Sequence, residues 1–256
     1  YRRQRQMCIR DSCMAANGIK AYIFPSLRPT PMLSFALREL GCTAGVVVTA
    51  SHNPPQYNGY KVYWEDGAQI TAPKDKQIIT EVQAITDFAQ VKTMSGEDAK
   101  AAGLYEVIGE EIDDKYMEAL KKLVLRPEAI KEQADKLKIV YTSLHGTGNI
   151  PVRRVLKELG FNNVYVVKEQ EFPDGDFPTV SYPNPEDKNA FTLALKLAKE
   201  VDADIATGET SVLSLPESNV LYFELEDGAW FCVRPSGTEP KIKYCAGVKG
   251  ADAQDA

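Results

Sequence analysis

The segment Gly45-Val-Val-Val-Thr-Ala50 constrains the fold more than any other part of the chain. It is a short apolar run without polar alternation, which suits a strand buried on both faces, as in a parallel sheet. It stops abruptly at Ser51-His-Asn-Pro-Pro55, because two prolines cannot continue a central ladder. Before it, Thr30 to Gly41 has the pattern of a helix. Thr30 is suited to the N-cap, Pro31 to the first turn and Gly41 to the stop, and Leu33, Leu37 and Leu40 form a buried stripe. After the run, Asn58-Gly59 signals a turn, and Lys61 to Trp64 predicts a second strand.

The pattern then changes twice. Glu111 to Val124 predicts a helix, with Ile112, Tyr116, Leu120 and Leu123 on one side, and Arg126 to Leu137 a second helical stretch. Lys138 to Thr142 then predicts a strand, His145 to Asn149 a glycine loop, and Pro151 to Gly160 a helix with proline at its first position. Asn163 to Val167 predicts the next strand, which completes a βαβ unit. A proline-rich loop from Glu171 to Glu186 leads to a helix from Asp187 to Val201. Beyond Ala206, Leu221 to Glu226 and Ala229 to Val233 flank Asp227-Gly228, a hairpin with a primed turn, and Lys241 to Val248 predicts a third strand. The fold class is therefore α/β. Mixed or parallel sheets covered by helices form two domains, joined to a small α+β C-terminal unit.

Composition excludes several functions. A net charge of −6 argues against a broad nucleic-acid footprint, although a local basic cluster still suits a small anion. No apolar run reaches the roughly 18 residues of a membrane helix, so no membrane role is expected. Five scattered cysteines without a CxxC pair suit free thiols, and with no secretory signal a cytoplasmic location is the expectation. With two histidines there is no histidine-rich metal site, so any metal must take oxygen ligands. Residues 1–12, YRRQRQMCIRDS, have no amphipathic period and read as a cloning or assembly scar, or as a basic arm.

Two loops carry chemistry. In Thr49-Ala-Ser-His-Asn-Pro-Pro55, Ser51 follows a buried strand, where open α/β sheets bind ligands. A serine nucleophile needs a base or a positive field, and His52 and Lys61 are close enough in sequence to supply either. The same residues also suit a turn cap beside a surface lysine. Arg234-Pro-Ser-Gly-Thr-Glu-Pro240 sets one guanidinium, two hydroxyls and a glycine in five residues. Arg234 offers a bidentate grip on phosphate, Ser236 and Thr238 offer hydroxyls, and Gly237 frees backbone amides. An ordinary polar turn reads the same way.

TASHNPPQYNGYK resembles the active-site serine loop of the α-D-phosphohexomutases, the phosphoglucomutase and phosphomannomutase family, and RPSGTEPK resembles that family's C-terminal phosphate loop. The two motifs lie nearly 200 residues apart, in the family's order. Weaker resemblances lie between them at Leu144-His-Gly-Thr-Gly148, Phe172-Pro-Asp-Gly-Asp-Phe-Pro178 and Pro183-Asn-Pro-Glu186. The resemblance implies that Ser51 is the phosphoserine, with His52 beside it and Lys61 in proton transfer. It implies that Arg234, Ser236, Gly237 and Thr238 hold the substrate's non-reacting phosphate. It also implies Mg2+, bound partly through the phosphate on Ser51, a hexose 1,6-bisphosphate activator and a phosphosugar substrate. GYKVYWEDGAQI looks most like the glucose- or pentose-phosphate branch, so a phosphoglucomutase is expected, with phosphopentomutase as the alternative. His145 reads as a structural loop histidine, and the spacing of Asp174 and Asp176 resembles a metal loop only superficially.

The chain departs from the family after Ile205. No DGDADR-like metal loop occurs, and Gly208-Glu-Thr-Ser211 matches the sugar-reading GE(x)S loop over four residues only. The expectation is a non-native segment over 1–12, a phosphoserine domain over 13–126, and incomplete second and C-terminal domains over 127–205 and 206–250. A gap falls near residues 205–207. A chain so arranged is expected to be inactive as written, and a non-catalytic phosphosugar-binding fragment is the competing function.

Overall fold

The computed structural model describes residues 11–51, 59–184, 187–206, 221–224, 230–235 and 242–247, the last three as backbone only. The chain divides into two units, Tyr1–Glu209 and Thr210–Ala256.

In the first unit, β1 (Ala21–Ile23) leads to α1 (Thr30–Glu39), then β2 (Ala44–Thr49) and β3 (Gly59–Trp64). Thr30 does not cap α1. Pro29 takes that position without a side-chain hydrogen bond, and Thr30 opens the helix. Gly41 stops it as expected, at φ 61°, where an L side chain is strained. The buried stripe is Met32, Ala36 and Leu37, with Leu33 and Leu40 half-buried beside it.

β2 is not a strand of a parallel sheet buried on both faces. It pairs antiparallel with β3, Val47 opposite Lys61 and Thr49 opposite Gly59, and it is only half-buried. Residues 50–58 are too few for the crossover of a dozen or more residues that a parallel pair needs, which leaves an antiparallel pairing. An apolar run states that a strand is shielded and says nothing about its partner's direction. The other edge of β2 borders a cavity of about 620 Å³, shared with β1 and floored by Leu33 and Leu37. β1 pairs instead with β4 (Tyr105–Val107), in parallel. Between them come α2 (Lys74–Ala84) and α3 (Gly96–Ala101), and after β4 comes α4 (Glu110–Lys121). α4 buries Ile112, Asp113 and Met117, while Leu123, expected on its apolar side, is exposed beyond its end.

After α5 (Pro127–Gln133), β5 (Lys138–Tyr141), α6 (Asn149–Glu158) and β6 (Asn163–Val166) form the expected parallel βαβ unit. Pro151 is the third residue of α6 rather than the first. α7 (Thr192–Val201), preceded by a 3-10 turn over Lys188–Phe191, returns the chain to β7 (Ile205–Ala206) on the far side of β5. The core here is Val140, Leu144, Val167, Ala190, Phe191 and Ala194.

The second unit contains an antiparallel sheet of β8 (Leu221–Glu224), β9 (Trp230–Pro235) and β10 (Ile242–Gly247), with β9 central. Glu224 pairs with Trp230. The turn expected at Asp227-Gly228 lies outside the described residues.

Candidate active site

Ser51 stands two residues past the end of β2. Ala50 is buried and Ser51 exposed, so the chain leaves the core between them. Ser51 has φ 57°, a left-handed conformation that a serine adopts only when its surroundings impose it. Its amide donates to Thr49 Oγ1 at 2.9 Å, which fixes the first turn of the loop. Lys61 lies opposite Val47, and opposed residues of an antiparallel pair share a face. Lys61, Val47 and Thr49 therefore lie on one face, with Lys61 two residues in from the Gly59 end of β3. Lys61 is half-buried. His52 falls outside the described residues.

Arg234 lies in β9 at the register position opposite Lys243 of β10. Sequence reasoning did not single out Lys243. Only the strand pairing, which joins residues nine apart, brings a second basic residue to that position. Ser236, Gly237 and Thr238 fall outside the described residues.

The β5–α6 turn is built by a closed chain of hydrogen bonds. The Leu144 amide donates to Thr142 Oγ1 at 3.0 Å, and Thr142 donates to Gln170 Oε1 at 2.7 Å. Gln170, fully buried, donates to Thr179 Oγ1 at 3.1 Å. His145 Nε2 lies 3.0 Å from that hydroxyl and its Nδ1 lies 2.9 Å from the Phe172 carbonyl. A carbonyl only accepts, so Nδ1 donates to it, and Nε2 accepts from Thr179 in neutral imidazole. Every polar atom of the His145 ring is thus spent on structure. Asp174 Oδ1 accepts from the Asp176 amide at 2.9 Å, a local turn on an exposed loop. Tyr141, at the base of the same turn, is 7% exposed, and burial pushes its hydroxyl up to about 12.

No group of three or more His, Cys, Asp or Glu side chains able to hold a metal ion converges among the described residues. By themselves these residues do not fit a Mg2+ cage, which takes octahedral oxygen ligation.

An exposed serine at a strand end and a lysine on the neighbouring strand's face stand in an α/β unit, and an arginine stands in a separate antiparallel sheet. Models of the phosphoglucomutase/phosphomannomutase family match three parts of the chain: alpha/beta/alpha domain I over residues 10–88, alpha/beta/alpha domain II over 114–208 and the C-terminal domain over 185–255. Domain III is not among the matches. The chain belongs to that family. It is 40% identical over 208 residues to a probable phosphomannomutase of Haemophilus influenzae, covering 79% of this chain and 40% of the relative. A phosphoglucomutase of Staphylococcus saprophyticus is 38% identical over 194 residues, covering 76% of this chain and 34% of the relative. The human phosphopentomutase is 39% identical over 193 residues, covering 74% and 31%. The crystal structure of a phosphomannomutase from Thermus thermophilus, itself described as putative, superposes with a TM-score of 0.55 at 25% identity, over 88% of this chain and 44% of that one. The chain thus spans about a third to two fifths of the length of these curated relatives. No described helix is long and apolar enough to cross a membrane.

Proposed function

We propose that the protein carrying this chain is a phosphosugar mutase that works through a phosphoserine at Ser51. The observation that carries the reading is the placement of Ser51, exposed and left-handed at the end of β2, within TASHNPPQYNGYK. Its phosphoryl group passes to a sugar hydroxyl: the P–Oγ bond breaks, a P–O bond to the sugar forms, the hydroxyl's proton leaves for a nearby base, and the departing serine oxygen takes up a proton to become the free hydroxyl. Lys61, with His52 beside the serine, serves this proton transfer. Return of the sugar's other phosphoryl group to Ser51 completes the isomerisation. Arg234, Ser236, Gly237 and Thr238 hold the phosphate that does not react, with Lys243 adding positive charge at the same register.

A sugar phosphate is the proposed substrate, a glucose phosphate first, on the likeness of GYKVYWEDGAQI, and a pentose phosphate second; relatives named for both kinds match the chain. Mg2+ and a hexose 1,6-bisphosphate activator remain part of this proposal. The second reading, a non-catalytic phosphosugar-binding fragment, rests on the sequence, which carries no DGDADR-like loop after Ile205.

Incubation of the full chain with glucose 1,6-bisphosphate, followed by phosphosite mapping by mass spectrometry, tests the serine role. Phosphate is expected on Ser51 and absent after Ser51→Ala. Label on another residue with Ser51 clean removes the mechanism.

A further inference from the structure

The parallel sheet of the first unit, with strand order β6-β5-β7, ends in a turn that the proposed function does not use. The chain leaves β5 for β6 on one side and later comes back to β7 on the other, so the topology switches direction at β5. Open α/β sheets bind ligands outside the carboxyl ends of their strands at such a point. The turn there, Thr142 to Gly148, leads straight into α6, a ten-residue helix. Gly148 caps α6 without any side-chain bond, and its φ of −71° would admit any L residue. Glycine is demanded there for a different reason: a Cβ at this position would lie 2.8 Å from the Tyr141 hydroxyl.

That hydroxyl is the second, independent observation. Tyr141 is only 7% exposed, its oxygen points at the helix N-terminus, and it has no hydrogen-bond partner among the described residues. A buried hydroxyl without a partner costs free energy, and such groups are rare unless a ligand or water completes them. The amides of Thr147, Gly148, Asn149 and Ile150 also have no acceptor among the described residues. Arg153 stands one turn along the helix. Its Nη1 donates to Asn149 Oδ1 at 3.1 Å and pairs with Glu171, whose carboxylate offsets its charge. The attraction for an anion therefore rests on the helix N-terminus and the hydroxyl donor more than on net charge.

We propose that the β5–α6 turn binds a phosphate group, held by the free amides at the start of α6 and by the Tyr141 hydroxyl. The site is separate from Ser51 and from the loop after Arg234, and it does not depend on either. Burial keeps the Tyr141 hydroxyl protonated through the neutral range, so it remains a donor.

The test is a titration of inorganic phosphate into the isotope-labelled full chain at constant ionic strength, followed by backbone amide NMR. It uses the wild type and Arg234→Ala, which removes the other proposed phosphate loop. The amide signals of Gly148, Asn149 and Ile150 are expected to shift with saturation in both proteins. Tyr141→Phe is expected to weaken the binding about tenfold, the effect of losing one hydrogen bond to a charged group. Gly148→Ala, which crowds the hydroxyl, is expected to weaken it at least as much. Unmoved amides at the start of α6 overturn the proposal, and so does unchanged affinity in both variants. Should Tyr141→Phe fail to fold, the wild-type shifts and Gly148→Ala decide alone. Loss of the shifts in Arg234→Ala would place the phosphate on the other loop and also overturns it. The Ser51 mapping can succeed or fail independently of each outcome.

Discussion

Arg28 and Asp113 show how much a single residue can hold while remaining invisible to a local reading. Arg28 lies in the loop after β1, and Asp113 lies in α4, 85 residues away. Nε donates to Asp113 Oδ1 at 3.1 Å and Nη2 to Oδ2 at 2.6 Å, a bidentate fork. The side chains are only 8% and 10% exposed, and the guanidinium also lies 5.9 Å from the Phe24 ring. Removing one partner strands the other charge away from water, which costs about 3–5 kcal/mol, whereas replacing both by apolar groups is near neutral. Arg28→Ala is therefore expected to lower unfolding free energy by about 3 kcal/mol in urea denaturation, and Arg28→Met with Asp113→Leu to recover most of it. A loss under about 1 kcal/mol, the ceiling for an exposed pair, would mean that the pair opens to solvent. Ser51 and Lys61 could be proposed from the sequence because their neighbours form a long motif. Arg28 could not, because the meaning of an arginine depends on a partner that only the fold supplies. Tyr141 was missed for the same reason: its hydroxyl matters only because Gly148 comes back beside it.

At the scale of elements, the β2–β3 hairpin shows what a pattern can and cannot specify. The apolar run named the strand within a residue of its observed limits, and Lys61 to Trp64 named all but the first two residues of β3, while the turn expected at Asn58-Gly59 lies outside the described residues. Direction and partner depended on the length of the connection, which the run does not encode. α1, α4, α5, α6 and α7 were found in the same way, with their ends displaced by a few residues, while α2 and α3 were not read from the sequence. Apolar periodicity fixes a helix's face, while its ends depend on caps and on crowding by neighbours. β1, β4 and β7 are two or three residues long, too short for any period to register. The packing of α1 on β2 depends on a glycine that the pattern passed over. A Cβ at Gly45 would lie 2.8 Å from Leu37 Cδ1 and 3.3 Å from Leu33 Cδ2. Leu37 is only 3% exposed, so it has little room to retreat. Gly45→Ala is expected to destabilise by about 1–3 kcal/mol through overpacking, read as a lower midpoint in urea. The cavity between β1 and β2 offers relief, and a neutral result would show that Leu33 and Leu37 swing into it.

For the whole molecule, membership of a mutase family and the capacity to turn over are separate questions. Phosphoryl transfer leaves little covalent chemistry to the protein, so rate depends on positioning and on opposing the charge of the transferring group. A phosphoserine brings about two negative charges to the loop at Ser51. Among the described residues the one nearby cation that sequence and pairing both place on that face is Lys61, and no carboxylate cluster gathers a metal to assist it. The sequence itself goes from Asp202-Ala-Asp-Ile205 to Thr207-Gly-Glu-Thr210 without a DGDADR-like loop. A transition state stripped of several kcal/mol of electrostatic support reacts at least about a thousandfold more slowly, since each 1.4 kcal/mol is about tenfold. Residues Thr210–Ala256, which contain Arg234, form a unit near the size at which a domain rarely stands on its own core. The 256-residue chain is therefore expected to show negligible conversion of glucose 1-phosphate, with Mg2+ and the bisphosphate supplied, while still accepting phosphate on Ser51. The comparison is the full-length Staphylococcus saprophyticus phosphoglucomutase under the same assay. Turnover within about tenfold of that enzyme would mean that other groups of this chain oppose the charge. Asp174 and Asp176 would then be the first residues to replace, since they are exposed carboxylates on the loop that packs beside the β5–α6 turn through His145 and Phe172.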